Sequence, residues 1–74
     1  MSSISDCRGK TTWPELLGAV GREAADTIER ENSNVNAVIV LDSPETVVTA
    51  DFRCDRVRVW VDTNGIVTRV PIIT

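Results

Sequence analysis

The sequence predicts a single α+β domain in which one amphipathic helix packs on a small β-sheet. Three observations support this prediction: one stretch has the apolar period of a helix, two later stretches are rich in β-branched residues, and a tight-turn sequence follows the second of these. The 74 residues suffice for one small domain, because domains usually have roughly 100 to 200 residues. We therefore treat residues 1–74 as one domain and expect the polar residues 1–6 to be flexible.

Two helical segments are predicted in the first half of the chain. Pro14, at a first-turn position with leucines behind it, predicts one short helical turn at residues 13–17, with Trp13 packed in the core. A longer helix is predicted from about Arg22 to Asn32, because charged residues separate apolar residues that recur at helical spacing: Ala24, Ala25 and Ile28. The turn-forming residues 32–34 end this helix.

The second half of the chain reads as strands. Val35 to Leu41 is a nearly continuous apolar run, which predicts a strand in the interior of the sheet that is buried on both faces or nearly so. Residues 56–62 alternate instead, with Val57, Val59 and Val61 on one face and Arg56, Arg58 and Trp60 on the other. The tight-turn residues Asp62 to Gly65 then predict a hairpin whose return, Ile66 to Val70, is an edge strand ended by Pro71.

A long segment without helical period, residues 42–55, separates the two main predicted strands. A structureless loop of this length in a small domain is uncommon and usually functional. Arg56 and Arg58 follow it on one strand face, and Thr49 and Asp51 within it offer the hydroxyl and carboxylate acceptors that arginine binds well. These contacts would make the loop rigid; the alternative is that both arginines are solvated charges on an open sheet face.

The two cysteines, Cys7 and Cys54, also leave two interpretations open. One bridge between them would close a loop of roughly 48 residues, worth about 4 kcal/mol in the chain-entropy model. The alternative is two thiols in a reducing compartment, where such bonds rarely persist. The bridge is favoured, since cysteines this far apart have no metal or redox spacing.

Composition excludes several classes of function. The chain has neither His nor Tyr, which argues against an enzyme, so we expect no catalytic residues, metal site or cofactor. A net charge of −3 offers no cationic surface for nucleic acid. No apolar run approaches the roughly 18 residues of a membrane span, so we expect a soluble monomer that binds no membrane. No signal peptide is visible, which leaves the compartment open: secreted, vacuolar or cytoplasmic.

Five segments carry a resemblance to a known family: Trp13-Pro14-Glu15-Leu16-Leu17-Gly18, Ile28-Glu29-Arg30-Glu31-Asn32, Thr49-Ala50-Asp51-Phe52-Arg53-Cys54, Arg56-Val57-Arg58-Val59-Trp60-Val61 and Val70-Pro71. In this order and spacing they resemble the potato inhibitor I family of serine protease inhibitors, and most of all its single-disulfide seed-inhibitor branch. The likeness runs from Cys7 to Thr74.

The resemblance implies a mixed sheet whose two long strands are parallel and joined by an exposed reactive-site loop. It implies a disulfide between Cys7 and Cys54, and inhibition of serine proteases, as in defence or the wounding response. The bond presented to the protease would join Ala50 to Asp51. Val48, Thr49, Phe52 and Arg53 would make further contacts with the protease, and Arg56 and Arg58 would support the loop.

The residue before the reactive bond predicts the class of target. The methyl group of Ala50 suits the small apolar pockets of elastase-like and subtilisin-like proteases; chymotrypsin is possible and trypsin is disfavoured. The segment from Leu41 to Thr49 lacks the Gly usual in the family and is about two residues longer, so we expect that side of the loop to be held less tightly. The alternative function is a small α/β interaction module that binds a non-protease partner through the same loop.

Overall fold

The computed structural model describes residues 7–74, so the expectation that residues 1–6 are flexible concerns a segment outside the described residues. In chain order, a 3-10 turn (Pro14–Leu16) precedes helix α1 (Gly21–Glu31), and strands β1 (Asn36–Leu41), β2 (Arg56–Val61) and β3 (Ile72–Ile73) follow. Both helical predictions are confirmed, α1 to within one residue at each end. Among the described residues, no helix has the length and apolar character needed to cross a membrane.

The sheet is mixed, as the family resemblance implies. Its strand order is β1-β2-β3, with β1 parallel and β3 antiparallel to the central β2. The α+β fold class is confirmed: α1 packs on one face of this sheet.

The core lies between α1 and the inner face of β2. The predicted alternation of β2 is confirmed, since Val57 and Val59 are fully buried and Val61 is nearly so. Ile28 of α1 is also fully buried. Trp13 lies in the core as predicted, and its indole Nε1 donates a hydrogen bond of 2.9 Å to Glu31 Oε1 at the end of α1. This bond satisfies the one polar atom of the buried indole.

The prediction that Val35 to Leu41 forms an interior strand buried on both faces is wrong. Val35 is buried, but β1 begins one residue later and lies at the edge of the sheet. Its side chains Val38, Ile39 and Leu41 are 45 to 49% exposed. As an edge strand, β1 has a neighbouring strand on one side only, so its residues reach only the margin of the core. A continuous apolar run does not distinguish this position from a fully buried one.

The predicted edge strand from Ile66 to Val70 is also wrong. The turn before it is confirmed, with Gly65 at φ +80° and its N–H donating to Asp62 O over 2.9 Å. Beyond the turn, however, only a single bridge joins Val67 to β2. Two main-chain hydrogen bonds flank this bridge, from Asp62 N–H to Ile66 O over 2.9 Å and from Thr68 N–H to Trp60 O over 2.8 Å. The N–H and C=O of Val67 itself bond to Ala19 O and Gly18 N. Strand β3 forms only after Pro71, at Ile72–Ile73.

Candidate functional site

The long segment predicted to be functional, residues 42–55, is an exposed loop that connects the parallel strands β1 and β2. Parallel strands require a crossover, because the chain must return along the sheet before the second strand can begin. Here the crossover contains no helix or strand, and Thr49, Ala50, Asp51 and Phe52 are all exposed. We call residues 42–48 the N-terminal arm of the loop and residues 51–55 the C-terminal arm.

Arg58 binds the loop from the side of β2, at Thr49, the residue before Ala50. Its Nη2 donates to the main-chain oxygen of Thr49 over 3.0 Å and to Thr49 Oγ1 over 2.8 Å. Only 9% of Arg58 is exposed, because the loop covers the outer face of β2 at this point. A buried cation is costly unless its donors are satisfied, so the loop and the guanidinium stabilise each other.

Arg56 binds the loop on the other side of Ala50. Its Nη2 donates to the main-chain oxygen of Asp51 over 2.7 Å and to that of Thr74 over 2.8 Å. The same nitrogen lies 3.6 Å from Asp51 Oδ1. The hydrogen bond from the Thr49 hydroxyl, together with the positive charge of Arg56, lowers the pKa of Asp51. Arg58 donates to that same hydroxyl, so Thr49 lies between the two charged side chains Arg58 and Asp51.

The C-terminal arm is fixed covalently. The sequence favoured a bridge over free thiols, and Cys7 and Cys54 are indeed joined by a disulfide with 5.2 Å between their Cα atoms. The main-chain N–H of Arg53 donates to Thr74 O over 3.2 Å. Its guanidinium donates to both carboxylate oxygens of Asp55, over 2.9 and 2.8 Å, and this contact lowers the pKa of Asp55. Sequence reasoning missed Asp55, although its spacing of two from Arg53 places both side chains on one side of an extended chain.

Sequence reasoning also missed the contacts at the start of the N-terminal arm. Asp42 donates its N–H to Val61 O over 2.7 Å, and its carboxylate accepts two hydrogen bonds from Arg69, over 3.1 and 2.8 Å. The Thr68 hydroxyl donates to the same carboxylate over 2.7 Å. The Arg69 guanidinium carbon lies 4.2 Å from the ring centroid of Trp60. No short-range pattern indicates these contacts, since Asp42 and Arg69 are separated by 27 positions.

The predicted site residues thus fall into two groups. Thr49 and Asp51 lie within hydrogen-bonding distance of Arg58 and Arg56, and Cys54 is tied to Cys7. Four others are at least partly open to solvent: Val48, Ala50, Phe52 and Arg53. A cleft of about 270 Å³ remains between the loop support and the C-terminal segment, lined by Arg58, Trp60, Arg69, Val70, Ile72 and Thr74.

Comparison with known proteins agrees with this architecture. A protein from Momordica charantia named Glu S.griseus protease inhibitor is 60% identical over 70 residues, which cover 93% of this chain and 98% of the relative. The inhibitor of trypsin and hageman factor from Cucurbita maxima is 51% identical over 69 residues, covering 93% and 98%. The crystal structure of bitter gourd trypsin inhibitor has 53% sequence identity and a TM-score of 0.86, and the match covers 92% of this chain and 97% of that one.

These relatives are named as inhibitors, not as enzymes. The sequence profile of the potato inhibitor I family matches residues 5–74. The match extends over nearly the whole chain, and the described part includes the single disulfide. The chain belongs to the potato inhibitor I family, in its small disulfide-containing branch.

Proposed function

We propose that this protein inhibits serine proteases by presenting residues 48–53 as a rigid, substrate-like segment. The observation that carries the proposal is the pair of arginines that bind the loop on both sides of one exposed residue, Ala50. Family membership and the names of the relatives, which include inhibitors of trypsin and of subtilisin, support the same function.

Rigidity accounts for tight binding by a small contact surface. A loop that is already held in its bound conformation loses little conformational entropy when the protease closes around it. Arg58, Arg56 and the disulfide at Cys54 hold the loop at three successive points. We therefore expect the affinity to depend on these supports as much as on the residues that touch the protease.

The bond between Ala50 and Asp51 is our candidate for the reactive bond. Attack by the protease serine on the carbonyl carbon of Ala50 would form an acyl-enzyme and release the amine of Asp51. That amine stays near the acyl group, because Arg56 holds the carbonyl oxygen of the same residue at 2.7 Å. A held amine can attack the acyl group and re-form the peptide bond, since a well-oriented neighbouring group has a very high effective concentration.

The contact residues follow from exposure and position. Val48 and Thr49 precede the reactive bond, and Phe52 and Arg53 follow it. Phe52 is 42% exposed and Val48 is 38% exposed, so both retain apolar surface that a protease can bury. Arg53 is held by Asp55 but keeps 55% of its side chain exposed, so it can still reach a carboxylate or carbonyl of the protease.

Ala50 favours elastase-like and subtilisin-like targets. A methyl group fits a shallow apolar pocket, whereas the acidic pocket of trypsin requires a long cation that this residue does not supply. Several relatives are named as trypsin inhibitors. For this chain, we propose that the side chain at position 50 disfavours trypsin, with chymotrypsin as an intermediate case.

Incubation with a panel of serine proteases, followed by mass analysis, tests the proposal. We expect inhibition of subtilisin and elastase and slow formation of a nicked species that is heavier by one water. Since the disulfide joins Cys7 to Cys54 across the cut, the two fragments should separate only after reduction, one ending at Ala50 and the other beginning at Asp51. Rapid cleavage with no loss of protease activity would contradict the proposal.

Replacement of Ala50 tests the reactive bond itself. Ala50→Lys should create trypsin inhibition, and Ala50→Leu should strengthen chymotrypsin inhibition, because each side chain fills the primary pocket of that enzyme. Ser33→Lys, in the exposed turn after α1, is the matched control for an added lysine. If the target preference of Ala50→Lys equals that of the control, the reactive bond lies elsewhere in the loop.

A further inference from the structure

The N-terminal arm of the loop contains a feature that the arginine supports do not explain. We propose that Asp42 and Arg69 form a second brace, which holds the acyl-side half of the loop, and that Arg69 is a positioning residue for inhibition. The proposal rests on the inhibitory function proposed above.

Asp42 is attached to the fold in three ways. Its N–H bonds to the main chain of β2 at Val61, over 2.7 Å. Its carboxylate binds Arg69 through Nε and Nη2, over 3.1 and 2.8 Å, in the two-point geometry that makes arginine–carboxylate pairs strong. The Thr68 hydroxyl supplies a further hydrogen bond of 2.7 Å.

Arg69 is itself held in place. Its guanidinium lies over the ring of Trp60, 4.2 Å from the centroid, where a cation is attracted to the aromatic face. Trp60 belongs to β2, the same strand that carries Arg56 and Arg58. The brace therefore connects the start of the loop to the strand that supports its tip.

The residues between the brace and the tip need such support. Thr46 N–H donates to Ser43 O over 3.0 Å, which closes a turn directly after Asp42. Beyond it, Val47 is 91% exposed, and among the described residues no hydrogen bond holds Val47 or Val48. Within the described residues, hydrogen bonds thus join the path from Asp42 to Thr49 to the rest of the fold at its two ends, Asp42 and Thr49. If the Asp42 end is released, the whole arm gains freedom.

An isolated surface ion pair would do little here, because exposed pairs usually contribute almost nothing measurable. This pair differs in belonging to a network of an arginine, a carboxylate, a hydroxyl and an indole, with the Asp42 side chain only 26% exposed. The hydrogen bonds from Arg69 and from the Thr68 hydroxyl both lower the pKa of Asp42, as expected for a well-bound carboxylate.

Cleavage would divide the loop into an acyl half, which ends at Ala50, and an amine half, which begins at Asp51. Re-formation of the bond requires the acyl carbon of Ala50 and the amine of Asp51 to stay close. Arg56 and the disulfide hold the amine half. Arg58 and the brace hold the acyl half, so loss of the brace should let the acyl-enzyme drift out of reach and be hydrolysed.

The test compares Arg69→Gln with Arg22→Gln, which removes an arginine from the exposed face of α1 and leaves the same net charge. Asp42→Asn, alone and combined with Arg69→Gln, completes a double-mutant cycle. Three quantities are measured on the full chain: the rate at which subtilisin nicks the loop, the melting temperature, and amide hydrogen exchange in residues 42–48 and 51–55. For Arg69→Gln we expect nicking about three- to tenfold faster, faster exchange confined to residues 42–48, and no further effect of Asp42→Asn.

Unchanged nicking and unchanged exchange in residues 42–48 would overturn the brace. So would faster exchange spread over the whole chain with a matching fall in melting temperature, since Arg69 would then be a general stabilising residue. Exchange is measured on the free protein, so it tests the brace even if the wild-type chain inhibits no protease. Failure of the wild-type chain to inhibit any protease would refute the proposed function and not the brace.

Discussion

Replacement of Thr49 by valine should convert the inhibitor toward a substrate without unfolding it. Valine keeps the branched shape of threonine and removes the hydroxyl, which accepts a hydrogen bond of 2.8 Å from Arg58. The same hydroxyl lowers the pKa of Asp51. Arg58 keeps its bond of 3.0 Å to the main-chain oxygen of residue 49. The loop should therefore stay near its present path but fluctuate more.

The magnitude follows from the burial of Arg58. A hydrogen bond to a charged group contributes about 1.5 to 3 kcal/mol, and 9% exposure leaves little room for water to replace the lost partner. Because each 1.4 kcal/mol corresponds to a factor of ten, we expect the inhibition constant to rise by roughly 10- to 150-fold. The melting temperature should fall as well, by roughly 4 to 8 °C for each kcal/mol lost, because the same bond stabilises the free folded chain.

The assay is a double-mutant cycle of Thr49→Val and Arg58→Ala, with inhibition constants and nicking rates measured against subtilisin. If Thr49 acts through Arg58, its replacement should have little further effect once Arg58 is alanine. An additive result would mean that the hydroxyl instead contacts the protease directly. Inhibition constants within twofold of wild type for both single variants would refute the bracing argument altogether.

Three further predictions concern the fold and its pH dependence. Reduction of the Cys7–Cys54 bond should lower the melting temperature, by the equivalent of about 4 kcal/mol in the chain-entropy model, and speed loop hydrolysis; equal melting with and without reductant would contradict this. The lowered pKa of Asp51 means that its carboxylate stabilises the folded loop above the ordinary value of 3.8 and loses this effect as the pH falls through the lower folded value. An NMR titration should find that lower value and an increase in Thr49→Val. Gly21→Ala should destabilise the protein by about 1 to 3 kcal/mol in urea unfolding, because the new Cβ would lie 2.6 Å from Val61 Cγ1.

Local patterns were sufficient to predict the parts of the fold that depend on one segment at a time. The strict alternation of β2 separated core valines from loop-binding arginines correctly, because each side chain of a strand must point to one face or the other. The apolar spacing of α1 gave its bounds to within a residue. The two arginines beside a long loop also indicated the candidate site, since both point toward the same side.

Features that depend on two distant segments were not predictable in this way. β1 has the composition of a buried strand but lies at the edge, because a sheet this small needs only one central strand. The segment after Gly65 pairs with β2 at a single bridge, and the main-chain groups of Val67 bond to the distant residues Gly18 and Ala19. The Asp42–Arg69 contact spans 27 positions and follows from where the chain returns after its last turn.

The two faces of β2 explain how so small a protein can hold a long loop rigid. Val57 and Val59 fix the strand in the core with no exposed surface, and a strand held in this way gives its outward side chains well-defined positions. Arg56 and Arg58 are those side chains, and Trp60 continues the row to meet Arg69. The buried valines of β2 thus fix the positions of the arginines that bind the loop, because valines and arginines alternate along the same strand. Core substitutions such as Val59→Ala should for that reason loosen the loop as well as lower the free energy of unfolding, even though Val59 lies on the face of β2 opposite the arginines that bind the loop.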